Sequence, residues 1–275
     1  MDAMPMDPAA RLEGLTAAEV RAAIRRGDYR WHTAGLAPGK LQANLAIFPE
    51  RYALDFLRFC QRNSKPCPVV GITDTGDPVF RTLGADVDVR TDLPRYRVFR
   101  NGVLEGEVDD LKALWRSDLV AVALGCSFTF EHALLEAGIP MHHIESGTAV
   151  PVFDTTIDCL PAGPFYGTMV VSMRPIPEDR VTETIEICSR YPLAHGAPIH
   201  VGDPAAIGIG DIARPDYGDQ VLPRAGEVPV FWACGVTPQS VILNAGLELA
   251  ITHAPGHMLV TDVDDTAEVP IATTA

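Results

Sequence analysis

Two stretches of the chain place a thiol, small hydrogen-bonding residues and an acidic or amide side chain at matching intervals. In "VAVALGCSFTFEHALLEAGI", residues 120 to 139, a β-prone apolar run ends at Gly125, and Cys126-Ser127 opens a helical pattern carrying Thr129 and Glu131. In "VPVFWACGVTPQSVILNAGL", residues 228 to 247, the order returns as Cys234, Gly235, Thr237 and Gln239. Set over each other without gaps, 120–154 and 228–262 share nine identities in 35 positions, where roughly two or three would arise by chance. The shared pattern reads as strand, Cys turn, N-capped helix, Gly stop and a further strand. Such turns offer acid–base chemistry, because a helix N-terminus favours anions and lowers a thiol's pKa. Ligands of open α/β sheets bind beyond the carboxyl ends of strands, where such helices begin. Cys126 and Cys234 are therefore candidate proton carriers, with Glu131 a candidate acid/base. Backbone N–H groups at Ser127 and Gly235, the hydroxyls of Thr129 and Thr237, and Gln239 are candidates for holding substrate and developing negative charge. One such Cys would read as apolar filler. Two in equivalent turns point to a ligand site, without showing that sulfur does the chemistry.

Other blocks could wall that site. In "TDLPRYRVFR", Arg95 and Arg97 share a strand face and could clamp a carboxylate, although on composition alone a solvated edge strand is the stronger reading. His253 and His257 in "THAPGHMLVTD" are alternative proton carriers, since imidazole titrates nearest neutral pH. Pro255-Gly256 breaks any helix between them, so a metal pair is a minority reading, as it is for His142, His143 and Glu145 in the first repeat. "WHTAGLAPGKLQANL" gathers His32, Gln42 and Asn44 around glycines, a texture that brings polar groups to ligands. There is no phosphate loop, GxGxxG, nucleophile elbow or EF-hand loop, so no cofactor and no metal are expected.

The elements that must position these groups follow from periodicity. Thr16, Glu19 and Gly27 bracket a helix over "AAEVRAAIRR", and "ERYALDFLRFCQRN" is a second. "CPVVGIT" reads as a buried strand, Asn101-Gly102 as a hairpin turn, and "DDLKALWRS" as a short helix. The block "WHTAGLAPGKLQANLAIFP" is too irregular for a simple core element, and residues 1 to 15 form a loose arm without signal-peptide character. From 155 to about 225 the texture changes to strand, helix and strand ("GTMVVSMRPI", "PEDRVTETIEICSRY", "APIHVG"). The expected architecture is α/β: duplicated strand–turn–helix sheet halves in a main domain (1–154 plus 226–275), with a smaller α+β insert over 155–225. Among 275 residues, 47% are hydrophobic and 21% charged, as in ordinary globular proteins. The net charge of −14 argues against nucleic acid or an anionic membrane as partner. Six irregularly spaced cysteines predict free thiols in a reducing cytoplasm.

Taken together, "HTAGLAPGKLQANLAIFP", "FCQRNSKPCPVV", "TDLPRYRVFRNG", "GCSFTFEHALLEAGI", "GTMVVSMRPI" and "THAPGHMLVTD" resemble the bacterial hydro-lyases related to D-glutamate cyclase, from about residue 30 to 262. The resemblance implies a two-part α/β fold with a smaller inserted domain, and a role in amino-acid metabolism on a small carboxylate substrate. It also implies a reaction in which the α-amino group of D-glutamate joins the side-chain carboxyl, losing water to give 5-oxo-D-proline. It brings no site residues with it. Two rivals stand beside it: a cofactor-independent two-cysteine racemase or epimerase, and a non-catalytic small-ligand binding protein. A homo-oligomer is compatible with each.

Overall fold

The computed structural model describes Leu12 and residues 14 to 271, so most of the expected N-terminal arm lies outside the described residues. Helix α1 (Ala17–Arg26) starts at a reciprocal cap: Thr16 Oγ1 accepts the Glu19 N–H, and the Glu19 carboxylate accepts the Thr16 N–H. Gly27 ends it in the left-handed region. Strand β1 (Lys40–Pro49) follows, and it corrects the expectation that this block holds no simple core element. It is a buried central strand, with Leu41, Ala43, Leu45 and Ile47 in one core and Ala46 and Phe48 in another. A strand covered on both faces loses the polar alternation that would have revealed it.

A 3-10 turn (Glu50–Tyr52) leads into α2 (Ala53–Arg62) and β2 (Val69–Ile72). β3 (Tyr96–Arg100) and β4 (Val103–Val108) form the expected hairpin, with Asn101 and Gly102 both at positive φ. The segment read as a short helix at 109–117 contains turns instead. Asp110 accepts the N–H of Lys112, and Leu111 is buried and donates to Arg90 O at 2.9 Å, so local bonds close turns around it. The chain continues through β5 (Leu119–Gly125), α3 (Phe128–Glu136), α4 (His142–Glu145), β6 (Val152–Asp158), β7 (Thr168–Pro177) and α5 (Val181–Ser189). It ends with β8 (His200–Val201), β9 (Glu227–Ala233), α6 (Val236–Asn244), β10 (Ala250–His253) and β11 (Leu259–Asp264). One sheet has the order β2-β5-β1-β10-β3-β4, with β11 also on β1; the other runs β6-β7-β9-β8. Every strand pairing in them is antiparallel.

The repeat is real in three dimensions. β5 and α3 recur 108 positions later as β9 and α6, with the same bounds. A second repeat lies 128 positions apart: β1, its 3-10 turn and α2 return as β7, the turn Glu178–Arg180 and α5. The pairing registers agree, since Ala43 faces Gly125 as Val171 faces Ala233, and Pro49 faces Leu119 as Pro177 faces Glu227. The smaller sheet and the expected insert have different limits: β9 lies beyond residue 225, yet it hydrogen-bonds along β7. The helices are also exchanged. α3 leaves the larger sheet and buries Phe130 and Leu134 against Ile176, Val230 and Trp232 of the smaller one. α6 leaves the smaller sheet and buries Val241 and Ile242 with Phe48 and Val122 of the larger and with Phe56 of α2. No helix among the described residues is long and apolar enough to cross a membrane.

Candidate active site

The two Cys turns are built alike. The Cys126 N–H donates to Gln42 O at 3.1 Å, and the Cys234 N–H donates to Val170 O at 3.0 Å. Thr129 Oγ1 accepts the Gln42 N–H at 3.2 Å, and Thr237 Oγ1 accepts the Val170 N–H at 2.9 Å. Each threonine thus ties its helix to the strand beside its own. The first helical amides, those of Phe128 and Val236, donate to the sulfurs of Cys126 and Cys234 respectively. Asn44 stands between the turns. Its Nδ2 donates to Gly125 O at 2.8 Å, and a Cβ built on Gly235 would lie 2.1 Å from that same nitrogen. Gly235 has to be glycine for this contact, and the duplicated turns converge on one amide side chain.

Between them lies a buried cation that the sequence reading did not single out. Arg174, on β7, is 1% exposed. Its Nε donates to Glu131 Oε1 at 3.0 Å, and its Nη2 donates to that oxygen as well. Nη1 donates to Ser172 Oγ at 3.1 Å, and Nη2 to Ser127 Oγ at 3.3 Å. The rings of Phe130 and Trp232 each lie 5.3 Å from its guanidinium carbon, a cation–π arrangement. His143 Nε2 completes the cluster at 3.1 Å from Glu131 Oε1. Burial pushes the Glu131 carboxyl upward, but Arg174 and His143 outweigh it and hold the pKa at about 2. The signal was an Arg inside the apolar run "MVVSMRPI": a guanidinium in a buried strand requires a carboxylate, and Glu131 in the first repeat supplies it.

The thiols differ from the expectation of a lowered pKa. Burial pushes Cys126 up to about 12, overriding the Phe128 amide and the Arg174 charge, and it raises Cys234 in the same way. The dipole effect is present but smaller than desolvation. A charge on Cys234 would oppose one on Cys126, so the two sulfurs share one electrostatic environment. All six cysteines are free, and Cys234 is the one that is not fully buried.

The histidine and glutamine candidates form a neighbouring polar wall. The Leu45 N–H donates to His253 Nδ1 at 3.1 Å, and the Gln239 amide lies 3.0 Å from His253 Nε2. With Nδ1 accepting, Nε2 carries the proton, and the amide oxygen of Gln239 is its natural acceptor. Burial pushes His253 down to about 4, so its imidazole is neutral. Burial also lowers His257, whose Nδ1 donates to Pro255 O at 2.7 Å. The His257 ring lies 5.0 Å from that of His32, which packs directly over Gly256. Gln42 Nε2 donates to Thr33 O at 2.8 Å and Leu36 O at 3.2 Å, pinning the glycine-rich loop, while its Oε1 is buried without a partner among the described residues. Arg97 sits on the hairpin strand β3, which pairs with β10. Arg95 immediately precedes that strand, its carbonyl accepting the Ala254 N–H at 2.9 Å, rather than sharing the strand face with Arg97 as expected. Arg97 Nε donates to Glu107 at 2.9 Å, whereas Arg95 lies 3.8 Å from Glu107 and 3.6 Å from Asp109. Both are partly exposed, and their charges reach His257 and His253 respectively. Among the described residues, no group of three His, Cys, Asp or Glu side chains could hold a metal ion. His142 instead bridges Glu145 at 3.2 Å and Glu227 at 2.7 Å.

Comparison with known proteins adds the family context. The sequence model of the D-glutamate cyclase family matches residues 120–262. A protein of Jannaschia named "Putative hydro-lyase" is 65% identical over 93% of this chain and 96% of its own length. Proteins of Ruegeria pomeroyi and Bacillus licheniformis with the same name are 60% and 56% identical, over 96% and 90% of this chain and 96% and 94% of theirs. Among solved structures, a nitrogen repressor-like protein of Methanococcus jannaschii aligns over 92% of this chain and 99% of its own, with a TM-score of 0.40 and 12% identity.

Proposed function

Because the chain belongs to the D-glutamate cyclase family, we propose that it is a hydro-lyase that closes D-glutamate to 5-oxo-D-proline at the place where the two Cys turns meet. The observation that carries this reading is the convergence of the Cys126 and Cys234 turns on Asn44, beside a buried Arg174–Glu131 pair. In the reaction the α-ammonium gives up one proton, its nitrogen bonds to the side-chain carboxyl carbon, and the nitrogen then gives up a second proton to become the lactam N–H. One C–O bond of that carboxyl breaks, and the oxygen leaves as water after receiving protons. The site therefore needs a proton acceptor, a proton donor and fixed donors for anionic oxygen.

Cys126 and Cys234 keep their protons at neutral pH, which suits donation to the leaving oxygen. Neutral His257, whose Nδ1 carries the proton and whose Nε2 does not, is the acceptor for the ammonium proton. His253, with Nδ1 taken by the Leu45 N–H and Nε2 protonated, orients Gln239 instead. Glu131 stays ionised at a pKa of about 2, so it acts as the fixed anion that orients Arg174 rather than as the acid. Arg95 has looser carboxylate partners than Arg97 and is the freer of the two to take the substrate carboxylate instead. Ser127, Thr129, Gly235, Thr237, Gln239, Gln42, Asn44 and His32 line or brace this site in the same reading.

Incubation with each enantiomer of glutamate, followed by mass spectrometry, tests the proposal. Loss of one water from D-glutamate is expected, and Cys234→Ala should slow it by about 10²–10⁴-fold, the range for a positioned proton carrier. Failure of both enantiomers to lose water would remove the cyclase assignment. A second reading, a two-thiol racemase, draws support from the equivalence of the two Cys turns. It predicts incorporation of solvent deuterium at the α-carbon without loss of water.

A further inference from the structure

On the far side of the Cys126 turn lies a groove of about 960 Å³, bounded by the end of α2, the stretch to β2, and the turn after α5. It draws one wall from each half of the duplication. Its apolar surface includes Leu54, Leu57, Val69 and Leu193, and among the described residues no aspartate or glutamate lines it. In a chain of net charge −14, this groove carries Arg58, Arg62 and Lys65. Arg58 is paired with Asp55. The other two donate to backbone carbonyls, Arg62 to Pro161 and Lys65 to Ala197, and neither has a carboxylate partner among the described residues. His195 fixes the stretch that carries Lys65. It lines the groove at 2% exposure and sits at positive φ. Its Nδ1 donates to Lys65 O at 2.8 Å, which holds that backbone against the turn after α5.

We propose that this groove is a second ligand site, taking an aliphatic carboxylate whose charge sits at Arg62 and Lys65 and whose chain covers the leucine-lined wall. The volume suits a ligand several times larger than glutamate, within the range of cofactor-sized pockets. Arg and Lys without acidic partners select an anion, and the apolar lining selects against a small hydrophilic one. Occupancy reaches the catalytic side through one contact. A Cβ on Gly125 would lie 1.5 Å from Leu193 O, so the groove wall bears directly on the residue before Cys126. The ligand braces that turn from behind. None of this depends on which reaction the Cys turns perform, because binding alone is the readout.

Isothermal titration of the full chain with decanoate tests it, with decanol and inorganic phosphate as separate arms. Saturable one-to-one binding of decanoate is expected, with decanol and phosphate each at least about tenfold weaker, a loss of about 1.4 kcal/mol. Arg62→Gln, at an exposed position, and Lys65→Met should each weaken decanoate by a similar factor while leaving the circular dichroism spectrum unchanged. Decanoate should also slow amide hydrogen exchange at Cys126. Absence of saturable binding, equal binding of decanol or phosphate, or indifference to both substitutions would overturn the site. Displacement of decanoate by D-glutamate would make the groove part of the substrate site and end its claim to be a second one. Binding without added protection at Cys126 would overturn the bracing.

Discussion

At the scale of single residues, the centre of the molecule holds several groups whose charge is fixed by their surroundings. Glu131 is ionised although buried, because Arg174 and His143 pull its pKa from the usual 4.5 to about 2. His253 and His195 are neutral because burial pulls each from 6.5 to about 4. In all three the folded pKa lies below the unfolded one, so the folded state binds fewer protons between the two values. The stability from the histidines is fully present above pH 6.5 and is lost as pH falls toward 4. That from Glu131 is present above pH 4.5 and is lost as pH falls toward 2. Each contribution is on the order of 3 kcal/mol. Urea denaturation across pH 7 to 3 should show stability falling in two overlapping stages, and His253→Gln should flatten the first. A stability flat from pH 7 to 5 would contradict the histidine assignments. The thiols and histidines were legible in the sequence because their residue types announce chemistry. Arg174 was not, because its meaning lies in burial, and its carboxylate partner is 43 positions away in another element.

At the scale of elements, the same bond is made twice. Thr129 and Thr237 each take a strand N–H that has no place in its own ladder, at Gln42 and Val170. Thr129→Val and Thr237→Val keep the shape and leave those buried donors unpaired, so each should cost about 1–3 kcal/mol by chemical denaturation. Two losses of similar size are the outcome that equivalent half-sites require; a large loss for one and none for the other would show that only one turn is held in this way. Gly125 is a harsher case, because a methyl group there would meet backbone rather than a movable side chain. Gly125→Ala should therefore cost more than Gly235→Ala, where the obstruction is the Asn44 side chain and Asn44→Ala should restore part of the loss. The first repeat was readable because Cys, Thr and Ala-Gly recur at fixed spacing. The second, joining β1–α2 to β7–α5, leaves little beyond Pro49-Glu50 against Pro177-Glu178 and Cys60 against Cys188. Strand pairing constrains burial and direction, which many apolar residues satisfy, whereas the Cys turns constrain particular atoms.

At the scale of the whole molecule, the exchange of helices between sheets decides whether the halves can exist apart. α3 is continuous with a strand of the larger sheet, yet its apolar face is buried on the smaller sheet and α5; α6 makes the reverse exchange. A chain in which residues 155–225 are replaced by a short Gly/Ser linker would lose β7 and α5 together. Phe130, Leu134 and Trp232 would then be exposed, and β9 would lose the strand it pairs along. Glu131 would also lose Arg174, the partner that ties α3 to β7. Burial of a Leu- or Phe-sized side chain is worth about 1.5–3 kcal/mol, so exposing these three apolar side chains removes much of the 5–15 kcal/mol by which domains are stable. The intact chain should accordingly unfold as one unit, with near-ultraviolet and far-ultraviolet circular dichroism changing together in urea. The shortened chain should show neither a cooperative transition nor a near-ultraviolet signal from Trp232. If it folded cooperatively and kept that signal, the larger sheet would be an autonomous domain, and the exchange of α3 and α6 would be a surface contact rather than the lock that joins the halves.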